Sequence, residues 1–599
     1  MSASQSRLSE LDRGLLLQHI FPKAGSLEHL ASTCKRLCKL ARLQVHSLRV
    51  DEQAGAVLEA VRRWPAEHTF AGCRGVEYHT PECGMEADGQ AAQQVLPLLT
   101  ALLPHVCAHW SYVSELALVL TPTYPAGLYR HANDYVMQQL PQLTALHSLR
   151  HLQLYKTAPL LFEDMQRLGQ LTRLTSLLLV DQSYMPGLAA PVMVDISPIS
   201  SLTQLQSLCV SGICPRLPPA MPVDLAVGVC SAQLEEWDAG VTDALLAAAE
   251  AIRRGGGSSS SSVACLPSSV TSVVIKRVDD FTLELWSYHL LLQESLKQLH
   301  VHEYAALDSK WFYAFPAPLL AQLAPHLAQL SELSFGIADA GNPRNLRDYQ
   351  AWDAALPASI THLGQLQSLD CDCCQMSVQT AADWRALGSL TRLTSLRGIN
   401  AWFCMDEWCV GAFERLGPQL PALSVLDLQY SGGPGSWRRL PHLQHFAQIE
   451  SLSLQCVDMG SGSAGEEQDD EDEYDAACVS DAVLLAHMYP LRNLIKLDLQ
   501  GLPAITPGVV LGLSGVLPQL EQLVIVQCDR IMERSHEDQQ PDWRGSELQL
   551  VRAALRDAAA QGNRVPCRLL VLSTDLAAER CCQELPCDLQ YVTAHRQHF

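Results

Sequence analysis

The sequence predicts an α/β solenoid, a curved stack of strand-and-helix units with parallel strands on the concave side and helices on the outside. One leucine pattern, with successive spacings of three, three and two, recurs through most of the 599 residues. The chain is also 48% hydrophobic, which is enough to bury a long core. Because the core of a solenoid grows in one dimension, a chain of this length need not divide into several globular domains.

The clearest copy of the pattern runs from Leu420 through Leu423 and Leu426 to Leu428. A spacing of three followed by two is neither helical nor simple strand alternation. It is typical of a bend that enters a short strand whose first and third residues face one core. We call the residue that opens such a strand the pivot, here Leu426.

The repeated pattern gives sixteen pivots at a mean interval of about 32 residues, near or slightly above that of ordinary leucine repeats. The predicted pivots are Leu48, Val76, Leu116, Leu152, Leu177, Leu208, Trp237, Val273, Leu299, Leu333, Leu369, Leu396, Leu426, Leu452, Leu497 and Leu523. A further copy is predicted at Leu570. The pattern resembles the leucine-rich repeat, and the resemblance implies a horseshoe-shaped solenoid. The long interval indicates outer helices and insertions.

Composition suggests the limits of the array. The solenoid is predicted over residues 46–532, with flexible insertions at 255–262, where glycines and serines run together, and at 460–475, which is strongly acidic. Residues 1–7 are predicted to be disordered. Residues 533–599 are predicted to form a C-terminal helix and cap.

A helical pattern over residues 8–45 precedes the array. The segment Thr33–Leu37 (TCKRL) resembles the Val-Cys-Lys-Arg-Trp of the F-box, although Leu37 replaces the tryptophan and the usual Leu-Pro start is missing. The resemblance implies docking on the small adaptor of a ubiquitin ligase. The residues implied are Leu8, Leu11, Leu15, Leu16, Ile20, Phe21, Leu27, Leu30, Cys34 and Leu37. The alternative is a helical cap that shields the first strand.

Charge and cysteine content restrict the partners and the compartment. The net charge of -22 argues against nucleic-acid binding and against docking on anionic membranes. The 21 cysteines occur without a signal-peptide pattern or a long apolar run. We therefore expect free thiols in the cytosol or the nucleus.

No phosphate-binding loop, nucleophile elbow or zinc-protease motif is present in the sequence, so we expect neither catalysis nor a cofactor. Cys371, Cys373 and Cys374, with Cys404 and Cys409, could be read as soft-metal ligands, but buried structural cysteines are the preferred interpretation. His300 and His302 share one face of a strand, where an ordinary polar surface is expected.

The residues on either side of each pivot should point away from the core. The polar residues at and near these positions are His151, Gln153, Glu236, Asp238, His300, Glu332, Ser334, Asp370, Asp372, Arg397, Asp427, Gln429, Lys496, Asp498 and Gln500. Because the central and late part of this set is largely acidic, the concave face is predicted to bind a target protein of basic character. The alternative is that these charges only keep an exposed sheet soluble.

These observations give two main functional hypotheses. The first, which the F-box resemblance implies, is a non-catalytic substrate-recognition subunit of an F-box-type (Skp/cullin/F-box) ubiquitin ligase. The second is a leucine-rich-repeat interaction scaffold in a cytoskeletal, ciliary or signalling assembly, with residues 1–45 acting only as a cap. A third hypothesis, an enzyme with a site among the cysteines and histidines, has the least support.

Overall fold

The computed structural model contains two compact units, residues 1–296 and 297–599, which we call unit one and unit two. It describes residues 47–50, 74–79, 103–104, 106–108, 110, 112–120, 135–156, 159–182, 192–216, 266–278, 280–304, 323–337, 358–371, 376–377, 381–400, 414–430, 443–456, 480–500, 502, 508–526 and 568–572. The predicted F-box-like segment and both predicted insertions lie outside the described residues.

Parallel strands form the framework of unit one. Its strands are β1 (Ser47–Val50), β2 (Gly75–His79), β3 (Glu115–Val119), β4 (His151–Lys156), β5 (Ser176–Asp181), β6 (Met193–Val194), β7 (Ser207–Ser211), β8 (Cys214–Pro215) and β9 (Ser272–Val278). Neighbouring strands pair in parallel in the order β1, β2, β3, β4, β5, β7, β9. The short strands β6 and β8 pair with each other.

Unit two is built in the same way. Its strands are β10 (Gln298–Tyr304), β11 (Glu332–Ile337), β12 (Ser368–Asp370), β13 (Met376–Ser377), β14 (Ser395–Asn400), β15 (Val425–Tyr430), β16 (Ser451–Cys456), β17 (Lys496–Gln500), β18 (Gln522–Val526) and β19 (Arg568–Leu572). They pair in parallel along the chain, and both β12 and β13 pair with β14.

Short helices connect the strands. The α-helices are α1 (Phe162–Leu168), α2 (Asp280–Leu291), α3 (Ala381–Gly388), α4 (Asp481–Met488) and α5 (Gly508–Val516), and the 3-10 helices are η1 (Leu140–Ala145), η2 (Ser197–Ser201), η3 (Ala324–His326), η4 (Ala358–His362) and η5 (Leu443–Phe446). Helices pack on their sequence neighbours, as α1 does on η1 and η2. Their buried apolar residues, such as Leu168, Leu387 and Leu484, complete the core.

Strand register confirms the fifteen predicted pivots from Leu48 to Leu523 that lie in described residues. In unit one, Leu48, Val76, Leu116, Leu152, Leu177, Leu208 and Val273 lie opposite one another in successive strands. In unit two the same row runs from Leu299 to Leu523. The pivots whose side chains are described are at most 2% exposed. A long parallel sheet with few helices and an in-register leucine core fits a leucine-rich-repeat solenoid.

The strand β7 pairs directly with β9, with Leu208 opposite Val273. The predicted pivot Trp237 lies outside the described residues. One detail of the predicted array is wrong: Leu569 rather than Leu570 lies opposite Leu523, so the last pivot is Leu569. The run of apolar residues in Arg568–Leu572 hides the alternation on which a prediction of register depends. The strand β19 also continues the array past residue 532, where the solenoid was predicted to end.

Each leucine pattern begins with a tight bend closed by one backbone hydrogen bond. In the clearest repeat, the N–H of Leu423 donates to the carbonyl of Leu420 at 3.1 Å. The N–H of Leu149 donates in the same way to the carbonyl of Leu146, and the N–H of Leu494 to that of Leu491. In each case the donor is three residues before the pivot and the acceptor is six residues before it. The bond explains the spacing of three in the sequence, because it brings two successive leucines to the same side before the strand starts.

Backbone hydrogen bonds also join neighbouring repeats with a constant register. The carbonyl of Ser424, two residues before its pivot, accepts the N–H groups of Glu450 and Ser451 at 2.8 and 2.9 Å. The carbonyl of Glu450 in turn accepts those of Ile495 and Lys496 at 2.7 and 2.9 Å. This two-donor arrangement begins at Arg74 in unit one and at Lys297 in unit two. Because each repeat fixes the next, the residues beside the pivots fall into straight rows.

Candidate interaction surface

The residue after each pivot faces away from the core and forms a row across the sheet, which we call the pivot-plus-one row. In unit two the row consists of His300, Ser334, Asp370, Arg397, Asp427, Ser453, Asp498, Val524 and Leu570. Parallel strands are about 4.8 Å apart, so neighbours in the row are close enough to act together on one partner. This row contains six of the predicted outward polar residues, namely His300, Ser334, Asp370, Arg397, Asp427 and Asp498.

A second outward row precedes the pivots. In unit two it consists of Gln298, Glu332, Ser368, Ser395, Val425, Ser451, Lys496, Gln522 and Arg568. Three of these residues are serines and one is a valine. The described side chains of this row are half-buried. Short side chains next to the pivot-plus-one row leave its charged groups within reach of a ligand.

The predicted partner-binding residues differ in exposure. In unit one, His151 and Gln153 are exposed, and in unit two Arg397 is exposed. His300, Glu332, Asp370, Lys496, Asp498 and Gln500 are half-buried. Asp427 and Ser334 are only 9% and 6% exposed, so this face is less open at these two positions than the sequence predicted. Neighbouring strands in the same plane shield a short side chain from both sides.

Four other predicted positions cannot be placed as side chains. Glu236, Asp238 and Asp372 lie outside the described residues. The backbone of Gln429 lies in β15, where it is opposite Gln455 of β16, and Gln455 is opposite Gln500 of β17. A partner-binding role stays a prediction for these four residues, as it does for the other predicted positions.

The charges on the outward face of unit two are of both signs. Asp370 lies opposite Arg397 on the next strand, and Lys496 lies two residues before Asp498 on β17. The sequence predicted a largely acidic face, but the arrangement is mixed, with carboxylates separated by a cation or a serine. A β-bulge at Arg397 and Gly398, where φ is 69° at the glycine, returns Ile399 to register with Leu428.

Asp498 carries the clearest electrostatic signature in the row. Burial raises the pKa of its carboxyl group, while a hydrogen bond with Gln500 and the charge of Lys496 act in the opposite direction. Its Oδ1 is shielded from solvent and accepts no hydrogen bond within the described part of the chain. A carboxylate in this position would gain from a cationic donor supplied from outside.

His300 lies at the start of the row in unit two. Its Nε2 is 3.8 Å from Oε2 of Glu332, and its ring stacks on His302 with centroids 5.9 Å apart. The two histidines therefore share a face, as predicted. Burial lowers the pKa of His300, although the charges of Glu332 and Asp370 oppose the shift.

The pivot-plus-one row of unit one is mixed, with charged residues at its start and mainly apolar residues after them. It consists of Arg49, Glu77, Ala117, Gln153, Leu178, Cys209 and Val274. Of these residues, the sequence prediction named only Gln153.

Cys371, which the sequence placed in the core in preference to a metal site, is a core residue. It is fully buried two residues after its pivot, and its N–H donates to the carbonyl of Arg397 at 3.0 Å. The other four proposed cysteines lie outside the described residues. Among the residues that the structure describes, no three His, Cys, Asp or Glu side chains are grouped so that they could hold a metal ion. None of the described helices is long and apolar enough to cross a membrane.

Comparison with known proteins finds only limited similarity between this chain and any of them. No protein-family model matches the chain, and no curated protein matches it significantly. Among solved structures, a leucine-rich-repeat protein of Leptospira interrogans is 12% identical over 84% of this chain and 96% of that chain, with a TM-score of 0.26. The TLR13–ssRNA13 complex is 12% identical over 77% of this chain, with a TM-score of 0.32. The chain spans 53% of the length of that TLR13 chain.

With TM-scores this low, we draw no conclusion from either similarity. The assignment rests on the molecule itself: the pivots in register, the tight bend before each strand and the parallel pairing. These features define the fold class of the protein as a leucine-rich-repeat solenoid. In unit two, the pivot-plus-one row is its most distinctive surface.

Proposed function

We propose that the chain is a non-catalytic protein-interaction module that binds a partner protein on the outward face of unit two. The observation that carries the proposal is the in-register pivot-plus-one row, in which charged side chains on consecutive strands face away from a closed leucine core. A rigid row of this kind presents charge at fixed intervals, which favours specific recognition of a partner.

The partner is proposed to carry basic groups. Glu332, Asp370, Asp427 and Asp498 provide four carboxylates on the two outward rows, against the cations Arg397 and Lys496 among the described side chains. The whole chain has a net charge of -22, so a basic partner is also attracted at long range.

The proposal is tested by affinity purification with site-specific variants. The full chain and the variant Asp370→Asn/Asp427→Asn/Asp498→Asn are used as baits, and captured proteins are quantified by mass spectrometry. We expect a defined protein captured by the unmodified chain to be lost with the triple variant. The variant Glu163→Gln is the matched control, because it removes a carboxylate that is 72% exposed on α1 and lies outside the row.

A partner that is captured equally by all three baits would contradict the proposal. Circular dichroism of the triple variant shows whether the repeats are still folded. Asparagine has nearly the same shape as aspartate, so the backbone register should be retained.

The finer proposal is that the chain is the substrate receptor of an F-box-type ubiquitin ligase. It is supported by the resemblance of Thr33–Leu37 and of the preceding helical pattern to the F-box, which is an argument from sequence alone. In a pull-down with the ligase adaptor, we expect binding that Ile20→Asp or Phe21→Asp abolishes while the repeats stay folded. If the unmodified chain does not bind the adaptor, the scaffold alternative is preferred.

A cytosolic or nuclear location goes with either role. It is supported by the 21 cysteines and the strongly acidic composition. Fluorescence microscopy of the tagged chain tests it, and accumulation in the secretory pathway would contradict it.

A further inference from the structure

A two-stranded ribbon, formed by β6 and β8, lies outside the main sheet of unit one and packs on α2 through β8. Each strand of the ribbon has only two residues, and Pro215 has no N–H group to donate to the pairing. The N–H of Arg216, directly after β8, donates to the carbonyl of Val194 at 2.7 Å. A pairing as short as this can open locally while the main sheet stays intact.

His289 of α2 is buried next to this ribbon. Its imidazole lies between the rings of Trp286 and Tyr288, with ring centroids 6.0 and 5.6 Å away. Asp195 and Arg216, the residues that directly follow β6 and β8, both act on it electrostatically. Neither ring nitrogen makes a hydrogen bond of normal geometry to any residue that the structure describes. The side chain has therefore lost its hydration without full replacement, which is a cost to the closed arrangement.

The charges around α2 do not compensate for this burial. On the ribbon, directly after its strands and on β9, which also packs on α2, the charged and titratable side chains are Asp195, Cys214, Arg216, Lys276 and Arg277. The charge of Asp195 and the backbone of Arg216 favour a protonated imidazole, whereas the cations on β9 do not. Burial outweighs both favourable groups and lowers the pKa of His289 to about 4.

Two hydrogen bonds hold the ribbon closed, and one of them ends at a strained point of the backbone. Nε1 of Trp286 donates to the carbonyl of Ile213 at 2.9 Å, and the N–H of Gly212 donates to the carbonyl of Lys276 at 2.9 Å. The next residue, Arg277, has a φ of 52°, which is unfavourable for a residue other than glycine. Release of the ribbon breaks the bond at Lys276 and allows Arg277 to relax. Backbone strain therefore acts in the same direction as protonation of the buried histidine.

We propose that the β6–β8 ribbon and α2 form an acid-sensitive latch, in which protonation of His289 releases the ribbon from α2 while the main sheet of unit one stays intact. The imidazolium needs water, and the ribbon is the cover that opens with the least loss of structure. The latch lies in unit one, so this inference goes beyond the proposed function and does not depend on the binding face of unit two.

The direction of the pH dependence follows from the two states of the histidine. The pKa is about 4 in the closed latch and near 6.5 when the ring is hydrated. The contribution of His289 to closure is therefore fully present above pH 6.5 and is lost as the pH falls through 4. Between pH 7 and pH 5, the equilibrium constant for opening should rise about 20-fold.

The test is hydrogen–deuterium exchange of the purified full chain at pH 7 and pH 5, read by mass spectrometry. Observed rates are divided by the intrinsic rates at each pH, which gives the opening constant of each segment. We expect the opening constant of peptides covering residues 193–216 to rise about 20-fold, with less than a threefold rise in β4 and β5. A ribbon that opens equally at the two pH values would overturn the proposal. An equal rise in β4 and β5 would also overturn it, because the opening would then be global.

Variants assign the pH response to one side chain. His289→Phe and His289→Leu both remove the titrating ring and keep the site apolar, so either variant that folds should lose the 20-fold rise. His147→Phe is the matched control, because His147 is exposed in the same unit, and it should retain the rise. Persistence of the rise in the His289 variants would contradict the proposal even if the ribbon opens at pH 5.

Discussion

The ammonium group of Lys156 donates a 2.7 Å hydrogen bond to Oδ2 of Asp164, with the two side chains 6% and 4% exposed. The pair joins the last residue of β4 to the first turn of α1. Oδ2 of Asp164 also accepts the N–H of Leu161 at 3.0 Å, and Oδ1 is 3.3 Å from Arg167. One buried carboxylate therefore caps the helix and fixes it to the sheet.

We predict that Asp164→Asn destabilises unit one by about 3–5 kcal/mol, because Lys156 is left buried without its counter-charge. Urea unfolding followed by circular dichroism measures the change. The neighbouring Glu163→Gln should change the free energy of unfolding by less than about 0.5 kcal/mol, because Glu163 is largely exposed. Equal effects of the two substitutions would show that the buried pair does not stabilise the unit.

A second prediction concerns His289, which is 1% exposed in α2 between Trp286 and Tyr288. Burial lowers the pKa of His289 to about 4, and the backbone of Arg216 and the charge of Asp195 oppose the shift. The unfolded chain binds a proton near pH 6.5, whereas the folded unit does not. The contribution to stability is therefore fully present above pH 6.5 and is lost as the pH falls through 4.

Between pH 7 and pH 5, protonation of the unfolded state at this histidine should cost unit one about 2 kcal/mol. His289→Phe should remove that part of the pH dependence, and the exposed His151→Phe should not. Urea unfolding at the two pH values measures both. The assignment is contradicted if His289→Phe leaves the pH dependence unchanged.

Leucines at the pivots should dominate stability in unit two. Leu452 is fully buried, and we predict that Leu452→Ala costs about 2–5 kcal/mol because it leaves a cavity between two repeats. The adjacent Ser451 faces outward, so Ser451→Ala should change the free energy of unfolding by less than about 0.5 kcal/mol. The midpoint of urea unfolding distinguishes the two variants, and a small effect at Leu452 would argue against the register.

Glycine at position 417 permits close contact between two repeats. A Cβ there would collide with the backbone carbonyl of His445 in η5. We expect Gly417→Ala to destabilise unit two by about 1–3 kcal/mol, since a backbone segment must move. Gly364→Ala is the matched control, because a Cβ at that glycine meets no atom within 4 Å. Equal thermal midpoints for the two variants would mean that the repeats are less closely packed than described.

The periodic part of the fold could be predicted from the sequence with accuracy. A pivot such as Leu426 is recognisable because each repeat has the same tight bend, the same alternation and the same burial requirement. Cys371 was also placed correctly in the core, since a position two residues after a pivot has to be apolar. Local spacing carries this information without knowledge of the rest of the chain.

The rest depends on contacts that local spacing does not encode. Leu570 had a plausible local pattern, but the register of β19 depends on its pairing with β18, where Leu569 lies opposite Leu523. Exposure at Asp427 depends on the side chains of neighbouring strands. The apolar members of the outward row in unit one, such as Leu178 and Val274, were missed because apolar residues at outward positions resemble core residues in a sequence.

Hydroxyl-radical footprinting of the full chain with mass spectrometry tests the central claim most directly, because it reports which side of each strand meets water. We predict that the pivots Leu426, Leu452 and Leu497 are protected in the native protein and become labelled only in denaturant. The outward residues His151 and Arg397 should be labelled in the native protein at rates near those of the unfolded chain. Native labelling of the three leucines at the rate of the unfolded chain would contradict the register on which the repeat core and the outward row depend.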